Sequence, residues 1–583
     1  MALQHSSSGK FGLRRLFSRF CKDSSATVTQ IFALSSIPFF LAAGAAVDGA
    51  RINDEHSKFL AAVDTAVIAV AADDRAAISN LSGAALEARM TELKALANDY
   101  VRKNYNSTGD ITLNLTITGQ AVKLDASIQF PTTIMAMVGI DEINMKASST
   151  VQKAMRPIEL VMVMDTTGSM ASGGKIDGAK TAAKTLLNTL YGGSVGSEPR
   201  SEFLRVGLVP FAAAVRLDTA AYDFNSAWID TTGANPLSKL NWDAIAAPAA
   251  WNNYYAWGRL KSSATTAQVW NGCVEARKRG TGSQDYNVND AAPNSSNPDT
   301  LFPAYFAFDA PGTTSSGDTI TSYGYSYIAQ GSNTTANTEC YGTGWNSTTC
   351  SSTSTSILQQ KQENYRKYDG TNIGVESTTN YGPWMGCAVS KVVPLTYDRA
   401  SVEAGIDAMT AAGPTLIGEG LSWGWRAISP GEPFTKVKGS GSLPNTTIAP
   451  YGDARWQKVL VLMTDGDNDL SAGGYGYNNT IYSAYGVAGE PLANNRFGTT
   501  SSSSVMTALD NDMLTVCSKI KAAGISLYVA SFGSGVSTTT RTRLQTCSSG
   551  SGYYQHANAP SDLTAFFNHI GEDVINKSIY VSK

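Results

Sequence analysis

Charged side chains are scarce in this chain, only 16% of 583 residues, and they nearly cancel to a formal net charge of -3. No basic stripe stands out to hold a nucleic-acid backbone, so nucleic acid is not expected among its partners. Histidine is rarer still: four residues, His5, His56, His556 and His569, lie scattered along the sequence. No Cys-x-x-Cys occurs among the seven cysteines, which leaves zinc ligation and thiol catalysis little to build on. Gly-x-Ser-x-Gly, a Walker loop and His-Glu-x-x-His are also missing, so no catalytic residues can be named and the chain does not read as an enzyme.

Asn, Ser, Thr, Gly and Tyr are conspicuous through the middle, a composition common in exported bacterial proteins. The length exceeds one ordinary core and predicts two or more folded units. Near the start, residues 26–47 carry no charge at all, and Lys10, Arg14, Arg15, Arg19 and Lys22 precede them. That run is long enough for a transmembrane helix, and the positive-inside rule leaves a basic leader, 1–25, in the cytoplasm and the bulk of the chain outside. A retained anchor is preferred to a cleaved signal peptide, whose apolar region usually spans about 7–15 residues. Only Cys21 precedes the span. The other six cysteines lie on the oxidising side and suit three disulfides, of which counting allows 15 arrangements. Cys517 with Cys547, Cys340 with Cys350 and Cys273 with Cys387 are the preferred pairs.

Two apolar runs end abruptly in oxygen-rich loops. Glu159-Leu-Val-Met-Val-Met-Asp165 leads into Thr-Thr167-Gly-Ser169, and Lys458-Val-Leu-Val-Leu-Met-Thr leads into Asp465-Gly466. A carboxylate and two hydroxyls spaced two residues apart at a strand end can converge on a hard divalent cation. Thr415, in Ala412-Gly-Pro-Thr-Leu-Ile-Gly-Glu-Gly420, offers a further hydroxyl just before a helix-like segment. Asp465-Gly-Asp467-Asn-Asp469 is not a helix-loop-helix calcium loop, because its sixth position is Leu470 and its twelfth is Gly476. Asp467 and Asp469 are expected to be solvated or to stand behind the ligands.

In their order, these segments resemble the von Willebrand factor A family and its metal-ion-dependent adhesion site (MIDAS), with Thr167 in place of the family's first Ser. The resemblance implies a metal site of Asp165, Thr167, Ser169, Thr415 and Asp465, with Mg²⁺ favoured and Ca²⁺ or Mn²⁺ as alternatives. It also implies recognition rather than catalysis, in which a Glu or Asp of a partner protein takes the cation's open position.

The surrounding pattern fits. Strands at 159–165, 203–211, 458–464 and 525–532 alternate with helices at 175–191, 399–411, 417–427, 506–523 and 560–573, which predicts an α/β fold with a mainly parallel, doubly wound sheet over 157–583. Residues 216–393 interrupt this order with a large insertion containing four cysteines and many aromatics, expected to be a cross-linked folded unit with a flexible segment. Region 48–156 reads as a small α+β unit, with an Ala-rich helix or helical hairpin over 53–101 and alternating strands over 110–129.

The basic leader, the span running into Ala-Val-Asp48-Gly-Ala-Arg51, the Ala-rich helix, and segments such as Trp270-Asn-Gly-Cys273-Val-Glu275-Ala-Arg277, Thr300-Leu-Phe-Pro-Ala-Tyr305-Phe and Leu421-Ser-Trp-Gly-Trp-Arg426 together resemble TadG-type proteins of Tad (Flp) pilus systems. That resemblance implies a single-pass protein of the bacterial inner membrane, facing the periplasm, whose partners are pilus subunits or assembly components. A surface adhesin for an external receptor and a metal-gated scaffold without a pilus role stay open as alternatives.

Overall fold

A computed structural model describes residues 27–582 except 74–75, 77–82, 107–108, 119–120, 194–199, 222–223, 243–246, 310–326, 329–364, 374–381, 388–389, 471–481, 488–495 and 500. The chain divides into two compact units, one of residues 1–154 with 579–583 and the other of residues 155–578.

The first unit begins with α1 (Thr27–Ala72), a 46-residue helix, followed by α2 (Gly83–Asn104) and strands β1 (Ile111–Thr118), β2 (Ala121–Pro131) and β3 (Glu142–Met155). Phe59, Ala62, Val63, Ala66, Val67 and Val70 recur at the three- and four-residue spacing of one helix face, and all are buried. Along β2, Val122, Leu124, Ala126 and Ile128 alternate inward at the period of a half-buried strand. These two stripes meet in one apolar cluster with Leu93, Ala97 and Val101 of α2. The C-terminal strand Ile579–Ser582 adds to the same sheet, whose order is β1-β2-β3 followed by that strand.

The transmembrane helix expected at 26–47 is not recovered as such. Among the described residues no helix is long and apolar enough to cross a membrane. The apolar run is the first part of α1, which continues without a break through Asp48, Arg51, Asp54 and Lys58. Residue 26 and the side chains at 27–30, 33, 34 and 37 lie outside the described residues, so that expectation falls partly beyond them.

The second unit is built on six strands. In chain order its elements are β4 (Ile158–Asp165), α3 (Lys175–Tyr191), β5 (Leu204–Phe211), β6 (Val393–Thr396), α4 (Arg399–Asp407), α5 (Ile417–Ile428), β7 (Gln457–Thr464), α6 (Ser502–Ala522), β8 (Ser526–Phe532), α7 (Thr538–Cys547), β9 (Tyr554–Ala557) and α8 (Pro560–Ser578). The sheet order is β6-β5-β4-β7-β8-β9. All neighbours are parallel except the edge strand β6, which runs antiparallel to β5. Every residue of β4 and β5 is buried, as expected where helices cover both faces of a parallel sheet. The mixed α/β architecture read from the sequence is therefore present, with element ends shifted by a few residues: α4 stops at Asp407, α6 starts at Ser502 and α8 runs on to Ser578.

The insertion packs as core. Trp228, Trp242, Trp251 and Trp257 are buried and share one apolar cluster with Val163 and Phe211 of the sheet. Trp242 alone contacts the rings of Trp251, Phe306, Phe308 and Tyr368, at centroid distances of 4.7–5.7 Å. Cys273 pairs with Cys387 across the insertion and Cys517 with Cys547 between α6 and α7. Cys340, Cys350, Trp345 and the segment expected to be flexible lie outside the described residues.

Helix α5 lies unusually close to the sheet because two of its glycines face it. A Cβ on Gly420 would come within 2.5 Å of the Phe211 ring, and one on Gly424 within 2.3 Å of Val163 Cγ2. Gly424→Ala is therefore expected to lower unfolding free energy by roughly 1–3 kcal/mol, because overpacking outweighs the ~1 kcal/mol that Ala gains in helix propensity. Denaturant titration checks this, and a stabilised variant would show that this contact does not set the helix position.

Candidate functional site

Strands β4 and β7 are neighbours at the centre of the sheet, and the connections leaving them lead in opposite directions, to β5 on one side and to β8 on the other. In open α/β sheets the crevice outside the strand ends at such a switch point is the natural ligand position. Asp165 closes β4, and Asp465 follows β7 directly. Both carboxylates are fully buried.

The loop after β4 is held from several directions. Thr166 donates its N–H and its hydroxyl to the Phe211 carbonyl, at 2.9 and 3.0 Å, and its own carbonyl accepts the N–H of Ala412 at 2.8 Å. The Gly168 N–H reaches the carbonyl of Gly413 at 2.8 Å. Gly413 sits at φ +84°, a conformation open to glycine at little cost. Thr415 and Asp469 exchange two backbone hydrogen bonds of 3.0 Å each, which ties the third loop to the one after β7. Asn468 caps the start of α5 by accepting the Ile417 N–H at 2.9 Å and donates to Asp510.

This lacing brings the sequence-predicted residues together. Asp165 Oδ1 accepts the Thr167 N–H at 2.8 Å, and its Oδ2 accepts the Thr464 hydroxyl at 2.7 Å. The hydroxyls of Thr167 and Ser169 lie 3.0 Å apart, and Ser169 donates to Asp465 Oδ1 at 2.5 Å. Thr415 Oγ1 and Ser169 Oγ both face Gly466, at 3.8 and 3.7 Å from where its Cβ would stand. Thr167 and Thr415 are buried, whereas Ser169 is exposed, so the cluster opens to solvent on that side. Asp467 is half-buried and accepts the Ser537 N–H, and Asp469 is exposed, so both stand outside the cluster.

One participant was missed in the sequence. Lys175, the first residue of α3, places Nζ 2.6 Å from Asp465 Oδ2. Its side chain is mostly buried, and Gly533 approaches its Cε to the distance at which a Cβ would meet it at 3.2 Å. A lone lysine at a helix start carries no sequence signal of this role.

The donor set is two carboxylates and three hydroxyls, all hard oxygen ligands, which fits a divalent cation of the Mg²⁺ kind and disfavours soft metals. Among the described residues no three His, Cys, Asp or Glu side chains gather as a metal cluster. Only two members of this set are of those types. Electrostatics point the same way, for burial, and secondarily the nearby Asp465 charge, push the Asp165 carboxyl up to about 6. A second positive charge would relieve that strain.

Residues 26–73 match the family model described as Putative Flp pilus-assembly TadE/G-like, so the chain carries a TadE/G-like segment at its N-terminal end. No curated protein matches the chain in sequence. Among solved structures it is similar to the pilus adhesin SpaC from Lactobacillus rhamnosus GG, at 11% identity and TM-score 0.29 over 81% of this chain and 35% of that one. The chain thus spans about a third of SpaC's length. It is also similar to the vWF domain of the type V pili tip protein Mfa5 from Porphyromonas gingivalis, at 8% identity and TM-score 0.30 over 73% of this chain and 97% of that one. Proximal thread matrix protein 1 from the mussel byssus, with a zinc-occupied MIDAS motif, overlaps at 12% identity and TM-score 0.18, over 74% and 98%. With scores this low, sheet order and donor geometry carry the reading that follows.

The raised Asp165 pKa gives a stability prediction. The folded protein holds this proton more tightly than the unfolded chain, whose carboxyl titrates near 3.8, so the contribution is complete below pH 3.8 and is lost as pH rises through about 6. Metal-free protein should therefore lose stability from this group as pH rises between those limits. Asp165→Asn should remove that part of the loss. Unfolding titrations across pH check this, and equal pH profiles for the two proteins would refute it.

Proposed function

We propose that this chain is a membrane-anchored, periplasm-facing component of Tad/Flp pilus assembly that binds partner proteins through a divalent-cation adhesion site. The observation that carries the proposal is the convergence of Asp165, Thr167, Ser169, Thr415 and Asp465 from three loops at the switch point of the sheet. Support for the pilus setting comes from the TadE/G-like match over 26–73. Inner-membrane anchoring by the apolar start of α1 is part of the proposal. It draws on Phe32, Phe39 and Phe40, which stand exposed on a helix turn sequence without charge.

In this reading Ser169 presents its hydroxyl oxygen from the exposed side, Thr167 and Thr415 present theirs from buried positions on two loops, and Asp465 supplies charge. Asp165 holds the loop in shape through the Thr167 N–H and the Thr464 hydroxyl, and contributes the second negative charge directly or through water. A bound divalent cation would supply an open coordination position for an acidic side chain of the partner. The role is recognition: among the residues named, the side-chain nitrogen beside these oxygens is the Lys175 ammonium, which is no general base.

Calorimetry with Mg²⁺ and with Mn²⁺ on the full chain in detergent is the test. Wild type should bind one cation, and Asp165→Ala or Asp465→Ala should abolish binding while the circular dichroism of the fold persists. Binding that survives in both variants would sink the site. Lys175→Met should tighten Mg²⁺ binding by roughly several-fold, because the cation no longer competes with the ammonium for Asp465. Weaker binding in that variant would show that Lys175 assists the site instead.

A further inference from the structure

Exposed large apolar side chains are not spread evenly over the described residues. Of twelve, five lie on the first half of α1: Ile31, Phe32, Phe39, Phe40 and Val47. Three more, Met137, Val138 and Ile140, lie on the single loop that joins β2 to β3. Met137 is 80% exposed and Val138 55%. This loop, Thr132 to Asp141, carries Met-Ala-Met-Val at its tip in one helical turn, 135–138. Soluble surfaces rarely gather so much apolar area in one place without a use.

The loop is fixed to α1 at one level of the helix. Asp48, only 2% exposed, accepts backbone N–H groups from Thr133, Ile134 and Met135, with the shortest two at 2.7 and 2.8 Å to its Oδ2. Those bonds hold its carboxyl below the usual range, the Met135 N–H most of all. Arg51 donates to the Thr133 hydroxyl. On the other side, Ile134 presses on Gly44, where a Cβ would come within 2.2 Å of Ile134 Cγ2. Thr133 therefore sits against Arg51, Ile134 against Gly44 and Met135 against Asp48, so the loop is held where the apolar run of the helix ends.

Distance along the helix gives the position a meaning. Ile31 to Val47 covers roughly 24 Å at about 1.5 Å per residue, against a hydrocarbon core of about 30 Å. Asp48 and Arg51 follow at once. Gly44 and Asp48, where the loop is held, thus mark the end of the apolar run, at the depth where acyl chains give way to headgroups. Asp141 and Glu142, both exposed, flank the loop on the sheet side, where water and headgroups would meet them.

We propose that the 132–141 loop is a second membrane contact, whose tip at Met137, Val138 and Ile140 inserts into the acyl boundary of the bilayer beside α1, with Asp48 as the clamp that holds it there. The partner is a lipid surface and not a protein, because the exposed tip is clamped at Gly44 and Asp48, next to the end of the uncharged exposed run that the anchor reading places in the bilayer. Two contacts fix a helix against rotation and tilt in a way that one cannot, so the unit outside is held at a set angle to the membrane. This inference rests on the membrane-anchor part of the reading above.

The test places the photo-crosslinking residue p-benzoylphenylalanine at position 39, 137 or 269 of the full chain, reconstituted in phosphatidylcholine vesicles, and identifies adducts by mass spectrometry. Val269 is exposed in the second unit and serves as the reference. Lipid adducts at 39 and 137 with none at 269 support the proposal. Adducts at 39 alone overturn it and leave the anchor intact. Absence at both 39 and 137 overturns the anchor and the loop together, and protein adducts at 137 in place of lipid would assign the tip to a protein interface and refute the lipid contact. Asp48→Ala in the position-137 protein should lower the lipid adduct yield there while leaving that at 39 unchanged. An unchanged yield at 137 would remove Asp48 from its role as clamp.

Discussion

Two carboxylates buried side by side at the ends of adjacent parallel strands are the constraint on which the second unit is arranged. Taking Asp165 and Asp465 out of water costs several kcal/mol each unless charge and hydrogen bonds offset it. The protein meets that cost with the Thr167 N–H, the hydroxyls of Thr464 and Ser169, and one ammonium from Lys175. Three anionic or oxygen-rich loops are consequently pinned within a few ångströms of one another. Such pinning serves stability poorly, since an apolar pair would pack at less cost. On the proposed reading it is preorganisation for a positive charge that arrives from outside.

The rest of the unit keeps that cluster in place. Gly420 and Gly424 let α5 settle onto β4 and β5, which sets the height of the preceding Thr415 loop. At the opposite end of the same strand, buried Glu159 is answered by Arg205 at 2.8 Å and Lys458 at 2.5 Å, one from each neighbouring strand, which locks the register of the three central strands. Among the described residues, the insertion adds Trp228, Trp242, Trp251, Trp257, Trp270 and Trp384 to the apolar cluster that includes Val163 and Phe211 of the sheet, so its tryptophans pack as core. Its disulfide between Cys273 and Cys387 closes a span of 114 residues, and such a closure limits the unfolded chain more the longer it is.

Much of this was legible in the sequence because it obeys local rules. The runs that became β4 and β7 are continuously apolar and end in Asp, which is how a doubly buried parallel strand with a site at its C-terminal end must read. Both described disulfides follow the preferred pairing: Cys517 and Cys547 join neighbouring helices of the alternating pattern, and Cys273 and Cys387 lie within the insertion, where no period placed them together. The parts that stayed hidden lack a period. Edge strand β6 has four residues and no alternation to reveal it, and α7, Thr-Thr-Thr-Arg-Thr-Arg-Leu-Gln-Thr-Cys, buries only Thr540, Leu544 and Cys547. Lys175 could be assigned to Asp465 only once the fold had brought residues 290 positions apart together. The return of the last strand to the first unit is a long-range pairing of the same kind.

The central claim is that the oxygens of the three loops hold one divalent cation. Anomalous diffraction at the manganese edge from crystals grown with Mn²⁺ tests it most directly. The account predicts one peak bonded to the hydroxyls of Thr167 and Ser169 and close to Asp465, with Lys175 displaced from that carboxylate. A folded protein whose map shows no peak there, with Lys175 still paired to Asp465, would contradict it.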